Sequence, residues 1–287
     1  MITTVIWMEM DGRLGNEMFQ YASGKAIAAR QRLTFVYSRH RHALERAFDL
    51  PGGVLGNAVL RGLSLPLRRG SVFKTRSPRM EMMVPGYEFE TFDSSLFSCG
   101  GWTRIAGYLE TPEYFAGREE EVRRWFRFRR RHRDRASEIE RSFEAPAERR
   151  CCVHVRRTDL LGMQYPISHP ETGFALPLEY YIAALARVPE DVAFVVIGDD
   201  MDFMRTLLAG RPRAYYSKGE EPAVDMALMG RCRWNVISNS TFAWWAAWLN
   251  PRDDRRVIGP KYFRGWNVRK WEMPGLAVDG WSWIDWR

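Results

Sequence analysis

Residues 151–159 read Cys-Cys-Val-His-Val-Arg-Arg-Thr-Asp, an apolar run that passes directly into a cluster of charges. The run predicts a short buried strand. Because side chains alternate between the two faces of an extended strand, Cys151, Val153 and Val155 share one face and His154 lies on the other. The charged residues begin where the strand ends.

Two adjacent arginines, Arg156 and Arg157, follow the carboxyl end of this strand. Open α/β sheets bind ligands at that edge, and the planar guanidinium group can hold a phosphate with two parallel hydrogen bonds. The pattern therefore predicts a phosphate contact. The alternative is an ordinary ion pair between Arg156 and Asp159 that holds a loop, because charged pairs near strand ends are common.

The rest of the second half alternates strands with helices. The predicted strands are 151–155, 192–198, 213–216, 234–238 and 257–258. The predicted helices are 177–188, 201–209, 222–231 and 241–249. This alternation calls for a parallel sheet with helices on both faces. Trp244, Trp245 and Trp248 recur at helical spacing, which is typical of core packing.

The first half opens with a predicted strand over 3–8, a glycine-containing turn over 11–16 and a long helical pattern. Asn16 is a candidate N-cap for that helix, and 32–37 is a second strand candidate. The turn is either a plain strand–helix connection or a backbone that comes close to a ligand, with Arg13 and Asn16 directed at it. It matches neither a P-loop nor a dinucleotide fingerprint.

The composition describes a basic chain of 287 residues with a net charge of +8 and a pI near 9.5, which favours an anionic partner. Much of the excess charge lies in residues 118–135, where we expect a charged helix over about 117–130. Such a run is usually a solvated helix face. We expect two domains, with residues 1–145 forming an N-terminal α/β domain and residues 146–287 a Rossmann-like C-terminal domain.

The cysteines and the hydropathy pattern favour a reducing compartment. Cys99, Cys151, Cys152 and Cys232 show neither paired metal-ligand spacing nor the framework of a secreted domain. The N-terminus has no signal-peptide pattern, and no run of about 18 apolar residues predicts a membrane span. We expect a cytoplasmic protein, with peripheral contact to the inner membrane surface through residues 118–135 as a variant.

If the sheet is parallel, Asp199, Asp200 and the segment 238–242 meet Arg156 at its carboxyl edge. The two acids have three interpretations: a helix cap, a metal site, or an acceptor for a base edge. Because adjacent acids point in different directions, we expect the site to be metal-independent. The segment Ser-Asn-Ser-Thr-Phe opens a helix whose free N–H groups favour phosphate, although Ser240 could simply cap that helix.

Three segments resemble the α-1,2-fucosyltransferases, glycosyltransferase family 11. Residues 12–22 are similar to the family's GGLGNQMFQYA opening, and 153–159 to its HxRRxD motif. The longest signature resembles residues 225–250, and segments at 107–115 and 180–181 fit as well. The resemblance spans nearly the whole chain in the right order.

The resemblance implies a GT-B-type α/β enzyme of two facing Rossmann-like domains that binds GDP-fucose in the C-terminal domain. It would transfer fucose with inversion to a hydroxyl of a glycan acceptor, usually the 2-OH of galactose, without a metal or other cofactor. Arg156 would hold the pyrophosphate, while Arg157 would more simply fix the loop. His154 and Asp199 would contact guanine or ribose. The other implied donor-site residues are Asp200, Asp225, Asn239, Ser240, Thr241 and Phe242.

The acceptor side is less determined. Arg13 and Asn16 would face the sugar from the first domain, and Asp159, Glu17, His40 and His42 are candidates for the proton acceptor. Position 17 is Glu where the family usually has Gln, and position 13 is Arg where many members have Gly. Glu17 is either a general base or a solvated acid at a helix start. Asp225 is either a partner of a helix dipole or a supporting acid.

Two rival functions remain open from the sequence. The first is a nucleic-acid-binding protein that uses the arginine run, which lacks a recognised reader motif and interleaved stacking aromatics. The second is a transferase of the same architecture that uses another nucleotide sugar. A variant places the basic run on an anionic membrane surface.

Overall fold

The computed structural model describes residues 4–38, 43–51, 74–211, 213–217 and 219–287. The fold is α/β, as predicted, and it groups into two compact units. The first unit is Met1–Glu81 with Glu88–Arg129, and the second is Met82–Tyr87 with Arg130–Arg287. The division at 145/146 stays a prediction.

The first unit is built around a four-stranded parallel sheet in the order β2-β1-β6-β3. A separate two-stranded sheet is formed by β4 and β5. The strands are β1 (Val5–Glu9), β2 (Thr34–Tyr37), β3 (Lys74–Arg76), β4 (Met80–Val84), β5 (Tyr87–Glu90) and β6 (Thr103–Ala106). The helices are α1 (Leu14–Arg30), α2 (Ala43–Ala47) and α3 (Glu119–Trp125), and 3-10 turns lie at Ser94–Ser98 and Pro112–Phe115.

Helix α1 begins earlier than the sequence suggested. Arg13, not Asn16, is its N-cap, because the amide of Glu17 already donates to the Arg13 carbonyl at 3.0 Å. Gly12 precedes it with φ +86°, a conformation that favours glycine. A Cβ at Gly12 would lie 2.8 Å from Asn16 Nδ2, so the turn and the first helical turn fit closely together.

The second unit contains a six-stranded parallel sheet in the order β12-β11-β10-β7-β8-β9. Its strands are β7 (Arg150–Val155), β8 (Ala193–Gly198), β9 (Ala214–Tyr216), β10 (Trp234–Val236), β11 (Arg256–Pro260) and β12 (Ser282–Ile284). Its helices are α4 (Arg130–Glu140), α5 (Thr158–Leu161), α6 (Leu178–Leu185), α7 (Met201–Leu207), α8 (Pro222–Met229) and α9 (Thr241–Leu249). The predicted alternation is confirmed, and α5 and β12 are additions to it.

The core of the second unit confirms the predicted faces of β7. Cys151, Val153 and Val155 pack in one apolar cluster with residues of α6, β8 and β10. Trp244 and Trp245 of α9 are fully buried, as the helical spacing predicted. Burial of large aromatic side chains contributes strongly to a core.

The expected single charged helix over 117–130 is wrong. Helix α3 ends at Trp125 and α4 begins at Arg130, because the intervening Phe128 pairs with Phe48 in an isolated β-bridge and their rings lie 4.9 Å apart. The arginines of the run are largely matched by acids. Ion pairs join Arg118–Glu121, Arg123–Glu120, Arg130–Asp134, Arg131–Glu221 and Arg135–Glu220.

Within the described part of the chain, every helix is too short or too polar to cross a bilayer.

Candidate functional site

The second sheet reverses its direction of growth at β7. The chain runs from β7 to β8 and β9 on one side, and β10, β11 and β12 follow on the other. The loops that leave β7 and β10 therefore diverge at the carboxyl edge, where open α/β sheets bind ligands. The two neighbouring strands are linked at this edge by His154 Nδ1 and Ser238 Oγ, which lie 2.8 Å apart.

Arg156 lies in the loop that leaves β7 at this carboxyl edge of the second sheet. Its Nε and Nη2 donate to the two carboxylate oxygens of Asp159 at 3.1 and 2.7 Å, so the ion pair expected as the alternative is present. The Arg156 side chain is still 23% exposed. A bidentate carboxylate fixes the plane of the guanidinium. The pair therefore orients Arg156 and leaves part of the guanidinium accessible.

Arg157 is built into the loop instead. Its Nε donates to Asp200 Oδ2 at 3.1 Å and its Nη1 donates to the Leu176 carbonyl at 2.8 Å. Its guanidinium carbon lies 4.0 Å from the centroid of the Phe203 ring. With only 14% of its side chain exposed, Arg157 braces the loop, and its expected part in donor binding stays a prediction.

The two adjacent acids have separate structural tasks. Asp199 accepts from the Arg157 amide at 2.8 Å and from Thr158 Oγ1 at 2.7 Å, so it holds the start of α5. Asp200 is the N-cap of α7 and accepts from the Phe203 amide at 3.0 Å, which confirms the cap interpretation. The contact of Asp199 with guanine or ribose stays a prediction.

His154 is held as a neutral imidazole. Burial, reinforced by the nearby charge of Arg156, lowers its pKa to about 3, and the charge of Asp199 opposes this only in part. Its ring lies 5.6 Å from the ring of Phe242. A neutral ring can offer one donor and one acceptor.

The N-terminus of α9 follows the other diverging loop, the one that leaves β10. Ser240 is the N-cap, but its hydroxyl makes no cap hydrogen bond to the helix. Asn239 Nδ2 donates to the Phe174 carbonyl at 2.7 Å, and Asn239 Oδ1 is buried without a donor among the described residues. Thr241 opens the helix and is buried. The backbone and hydroxyl groups present here suit an anion.

Asp225 lies in the first turn of α8 and accepts from Ser217 Oγ at 2.6 Å. Burial raises its pKa to about 6 although Ser217 stabilises the charged form, and Glu220 adds to the rise. Because Ser217 follows β9, this acid supports the same edge of the sheet.

The first unit holds the remaining candidates. Arg13 and Asn16 lie at the start of α1, beyond the carboxyl end of β1. The interpretation of Glu17 as a solvated acid is wrong: its side chain is buried and accepts from the Leu44 amide at 2.8 Å, near the start of α2. His40 and His42 lie outside the described residues.

The structure thus brings most predicted donor-site residues to one edge of one sheet. It adds residues that the sequence did not single out, namely Thr158, Leu176, Phe203 and Ser217. The threonine inside the Arg-Arg-Thr-Asp motif was a visible signal, because short hydroxyl side chains favour caps and turns. The carbonyl of Leu176 had no comparable signal. Among the described residues, no group of three acid, histidine or cysteine side chains is arranged to hold a metal ion.

The family of this chain follows from its match to a known family model. Residues 65–265 match the family model described as glycosyl transferase family 11. This chain belongs to glycosyl transferase family 11. The family predicted from the sequence motifs is confirmed, and with it the enzyme class, a glycosyltransferase.

Relatives of this family 11 chain include two Escherichia coli proteins. The O-antigen biosynthesis glycosyltransferase WbnK is 36% identical over 45% of this chain and 42% of its own length. An alpha-1,2-colitosyltransferase is 24% identical over 90% of this chain and 91% of its own length. Galactoside alpha-(1,2)-fucosyltransferase 1 of Ateles belzebuth is 25% identical over 83% of this chain. The chain spans 63% of that primate protein.

Solved structures confirm the fold of the family 11 chain. The NodZ alpha-1,6-fucosyltransferase soaked with GDP-fucose aligns over 90% of this chain and 94% of its own, with a TM-score of 0.55 and 16% identity. POFUT1 in complex with GDP-fucose aligns over 90% of this chain and 98% of its own, with a TM-score of 0.52 and 12% identity. The GT-B-type α/β fold expected from the motifs is confirmed.

Proposed function

We propose that this chain transfers fucose from GDP-fucose to a hydroxyl of a glycan acceptor, the 2-OH of a galactose, and forms an α-1,2 linkage. Membership of family 11 and the alpha-1,2 specificity in the names of its relatives support this linkage. Of two structures with the same fold, POFUT1 is a complex with GDP-fucose and NodZ was soaked with it. The observation that carries the proposal is the oriented, partly exposed Arg156 at the switch point of the second sheet.

The chemistry places the main demand on that arginine. The bond between C1 of fucose and the β-phosphate oxygen breaks, a bond to the acceptor oxygen forms, and the acceptor proton leaves to a base. Negative charge grows on the departing diphosphate, and preorganised positive groups stabilise it. The guanidinium held by Asp159 is preorganised in this sense, because its plane is set before the ligand arrives.

The segment 239–242 would complete the diphosphate site. The N-terminus of α9 suits an anion because a helix start presents backbone N–H groups and a partial positive charge, and Ser240 supplies a hydroxyl that makes no cap hydrogen bond to the helix. Neutral His154 would contact the nucleoside rather than the phosphate, because an imidazole without charge adds little to anion binding. Arg13 and Asn16 would serve the acceptor side.

We infer inversion and independence from metal ions on chemical grounds. GDP-fucose carries the β-anomer, so an α-linked product requires inversion at C1. Asp199 and Asp200 accept hydrogen bonds from Arg157, Thr158 and Phe203, so both acids brace the loop and the start of α7. Arg156 can neutralise the diphosphate in place of a metal ion.

The test is a calorimetry and thermal-shift panel with GDP, UDP and GDP-fucose, with and without chelator. We expect GDP to bind more tightly than UDP, no effect of chelator, and loss of GDP affinity in Arg156→Ala. Proton NMR of the disaccharide product would report the anomer. Equal affinity for GDP and UDP, or a strict metal requirement, would contradict the proposal.

A second donor has a specific observation in its favour. Of the three relatives described above, the alpha-1,2-colitosyltransferase is matched over nine tenths of both chains. Colitose lacks the C3 hydroxyl of fucose, so both sugars present the same diphosphate and leaving group. Comparing kcat/KM for GDP-fucose and GDP-colitose with one acceptor decides between them. A preference for GDP-colitose would replace fucose in the proposal and keep the rest.

A further inference from the structure

The first sheet has its own reversal point, and the crevice there is built differently. Strand β1 lies between β2 and β6, so the loops after β1 and β6 diverge at the carboxyl edge. Gln20 of α1 joins them. Its Oε1 accepts from the Asp11 amide at 2.9 Å and its Nε2 donates to the Gly107 carbonyl at 3.0 Å. Because Gln20 is buried, this amide bridge fixes the spacing of the two loops.

The loop after β6 is braced a second time. Glu90 accepts from the amides of Tyr108 and Leu109, each at 2.8 Å. Gly107 has φ +151°, and a Cβ there would lie 2.6 Å from Pro78 Cδ. Glycine is thus required where the chain turns out of the sheet. These contacts hold the backbone of Tyr108 in one position relative to β6.

Two side chains project from these fixed loops. Asp11 is exposed and Tyr108 is 39% exposed, and the Tyr108 hydroxyl lies 3.5 Å from Asp11 Oδ2. The other carboxylate oxygen accepts from the Gly12 amide at 2.7 Å. A carboxylate has about four acceptor positions, so further hydrogen bonds can be accepted here. The result is an acceptor pair beside an aromatic ring.

This chemistry discriminates among ligands. A carboxylate repels a phosphate, and a single carboxylate is too few ligands for calcium or magnesium. It does accept hydrogen bonds from two neighbouring hydroxyl groups at once, and a tyrosine ring with an apolar body and a polar tip suits the mixed surface of a sugar. A neutral saccharide satisfies both side chains.

We propose that Asp11 and Tyr108 form a subsite for the acceptor sugar and that Asp11 determines which hydroxyl groups of that sugar are accepted. The identity of the sugar as a galactoside rests on the proposed function. The subsite itself rests on the geometry of the first unit alone. Neither residue belongs to the donor site described above.

The first test needs no donor. Saturation-transfer NMR of methyl β-galactoside with the full chain should show binding, weakened about tenfold or more in Asp11→Asn, because hydrogen bonds to a charged group are stronger than neutral ones. Tyr108→Phe removes only the hydroxyl and should weaken binding less. Glu120→Gln is the control: this exposed acid lies on α3, and the preceding Ala116 carbonyl accepts from Arg30 at the far end of α1.

The second test identifies which hydroxyl group of the sugar contacts Asp11. Galactosides that lack the 3-, 4- or 6-hydroxyl are compared in kinetics with the parent and with Asp11→Asn. We expect one deoxy acceptor to raise the acceptor KM of the parent but not of the variant, with the KM for GDP-fucose unchanged in both.

The proposal is overturned if methyl β-galactoside does not bind the parent, or if it binds Asp11→Asn and the parent equally. It is also overturned if every deoxy acceptor loses the same factor in both proteins. Unfolding of Asp11→Asn would show as a fall in Tm, and Tyr108→Phe then carries the comparison. If the proposed donor is wrong, calorimetry shows no GDP binding, and this result is independent of the tests of Asp11.

Discussion

The two parallel sheets of this chain share a topological device but differ in the chemistry they place on it. In the second unit, the reversal edge carries Arg156, which is paired with Asp159, and Arg157, which donates to Asp199 and Asp200. In the first unit, a buried glutamine amide spans the reversal edge, and one exposed carboxylate lies beside a tyrosine.

This difference shows how far topology alone determines function. A reversal in strand order creates a crevice at the carboxyl edge, whatever the side chains are. The charge of the residues on the diverging loops then selects the ligand class. Basic groups held by carboxylates suit a diphosphate, while an exposed carboxylate beside a tyrosine suits the hydroxyl groups of a sugar. Separate perturbation of each edge should therefore affect different substrates.

Loss of the Arg156 guanidinium should produce the largest effect. Arg156→Ala should lower kcat with GDP-fucose by about 10²–10³-fold, since one preorganised donor typically contributes about 2.7–4 kcal/mol to the barrier. Initial rates at saturating acceptor measure this. Arg156→Lys should fall between, because an ammonium keeps the charge and loses the bidentate geometry.

Arg205→Ala on α7 is the matched control, because its side chain is 67% exposed. It should leave the rate unchanged. Circular dichroism and Tm should show that Arg156→Ala remains folded. Near-normal turnover in folded Arg156→Ala would mean that Arg156 does not stabilise the departing diphosphate.

The buried carboxyl group of Asp225 in the second unit should also make the free energy of unfolding depend on pH. Because burial raises the pKa of Asp225 to about 6 from an ordinary value of 3.8, the folded state holds a proton that the unfolded state has released between these values. This contribution to stability is therefore present below about pH 4 and is lost as pH rises to 6. Asp225→Asn should gain up to about 3 kcal/mol over the parent at pH 7.

Urea unfolding of both proteins at pH 4 and pH 7 measures this difference. The gain should be small at pH 4 and grow with pH, whereas Asp202→Asn, an exposed acid on α7, should show no such trend. His154 contributes in the opposite direction in parent and variant alike and cancels in the comparison. A pH-independent difference would show that folding does not raise the pKa of Asp225.

Removal of the Arg157 side chain tests whether this residue stabilises the loop or binds the nucleotide. Arg157→Ala leaves the Asp200 carboxylate and the Leu176 carbonyl without this donor, so the free energy of unfolding should fall by about 1–3 kcal/mol. Thermal unfolding should show a Tm lower by roughly 2–4 °C for each kcal/mol. If Tm is unchanged while GDP affinity falls steeply, Arg157 holds the nucleotide instead.

Much of the second unit could be predicted from the sequence because its signals are local. The helix α9 ends at Leu249, immediately before Asn250 and Pro251, the buried strand β8 is a continuous apolar run, and β7 is apolar from Cys151 to Val153. Asp200 is a cap recognisable from its position. Local order of this kind depends on neighbours along the chain.

The predictions that failed depend on contacts between distant residues. Glu17 is buried because the amide of Leu44, 27 positions away, needs an acceptor. The charged helix is interrupted because Phe128 meets Phe48. Strand β12 has only three residues and is defined by its pairing with β11. No local pattern specifies such pairings, so the sequence alone left them undetermined.

The smallest expected effect distinguishes a helix cap from a ligand contact at Ser240. Its hydroxyl makes no hydrogen bond to the first turn of α9, so Ser240→Ala should leave Tm nearly unchanged. If the hydroxyl binds the diphosphate, calorimetry should show GDP affinity lower by about 3- to 10-fold, the worth of one hydrogen bond. The KM for the acceptor should stay constant, because Ser240 lies at the carboxyl edge of the second sheet, where we place the donor. A lower Tm with unchanged GDP affinity would assign Ser240 to capping and leave the backbone N–H groups of α9 as the phosphate contacts.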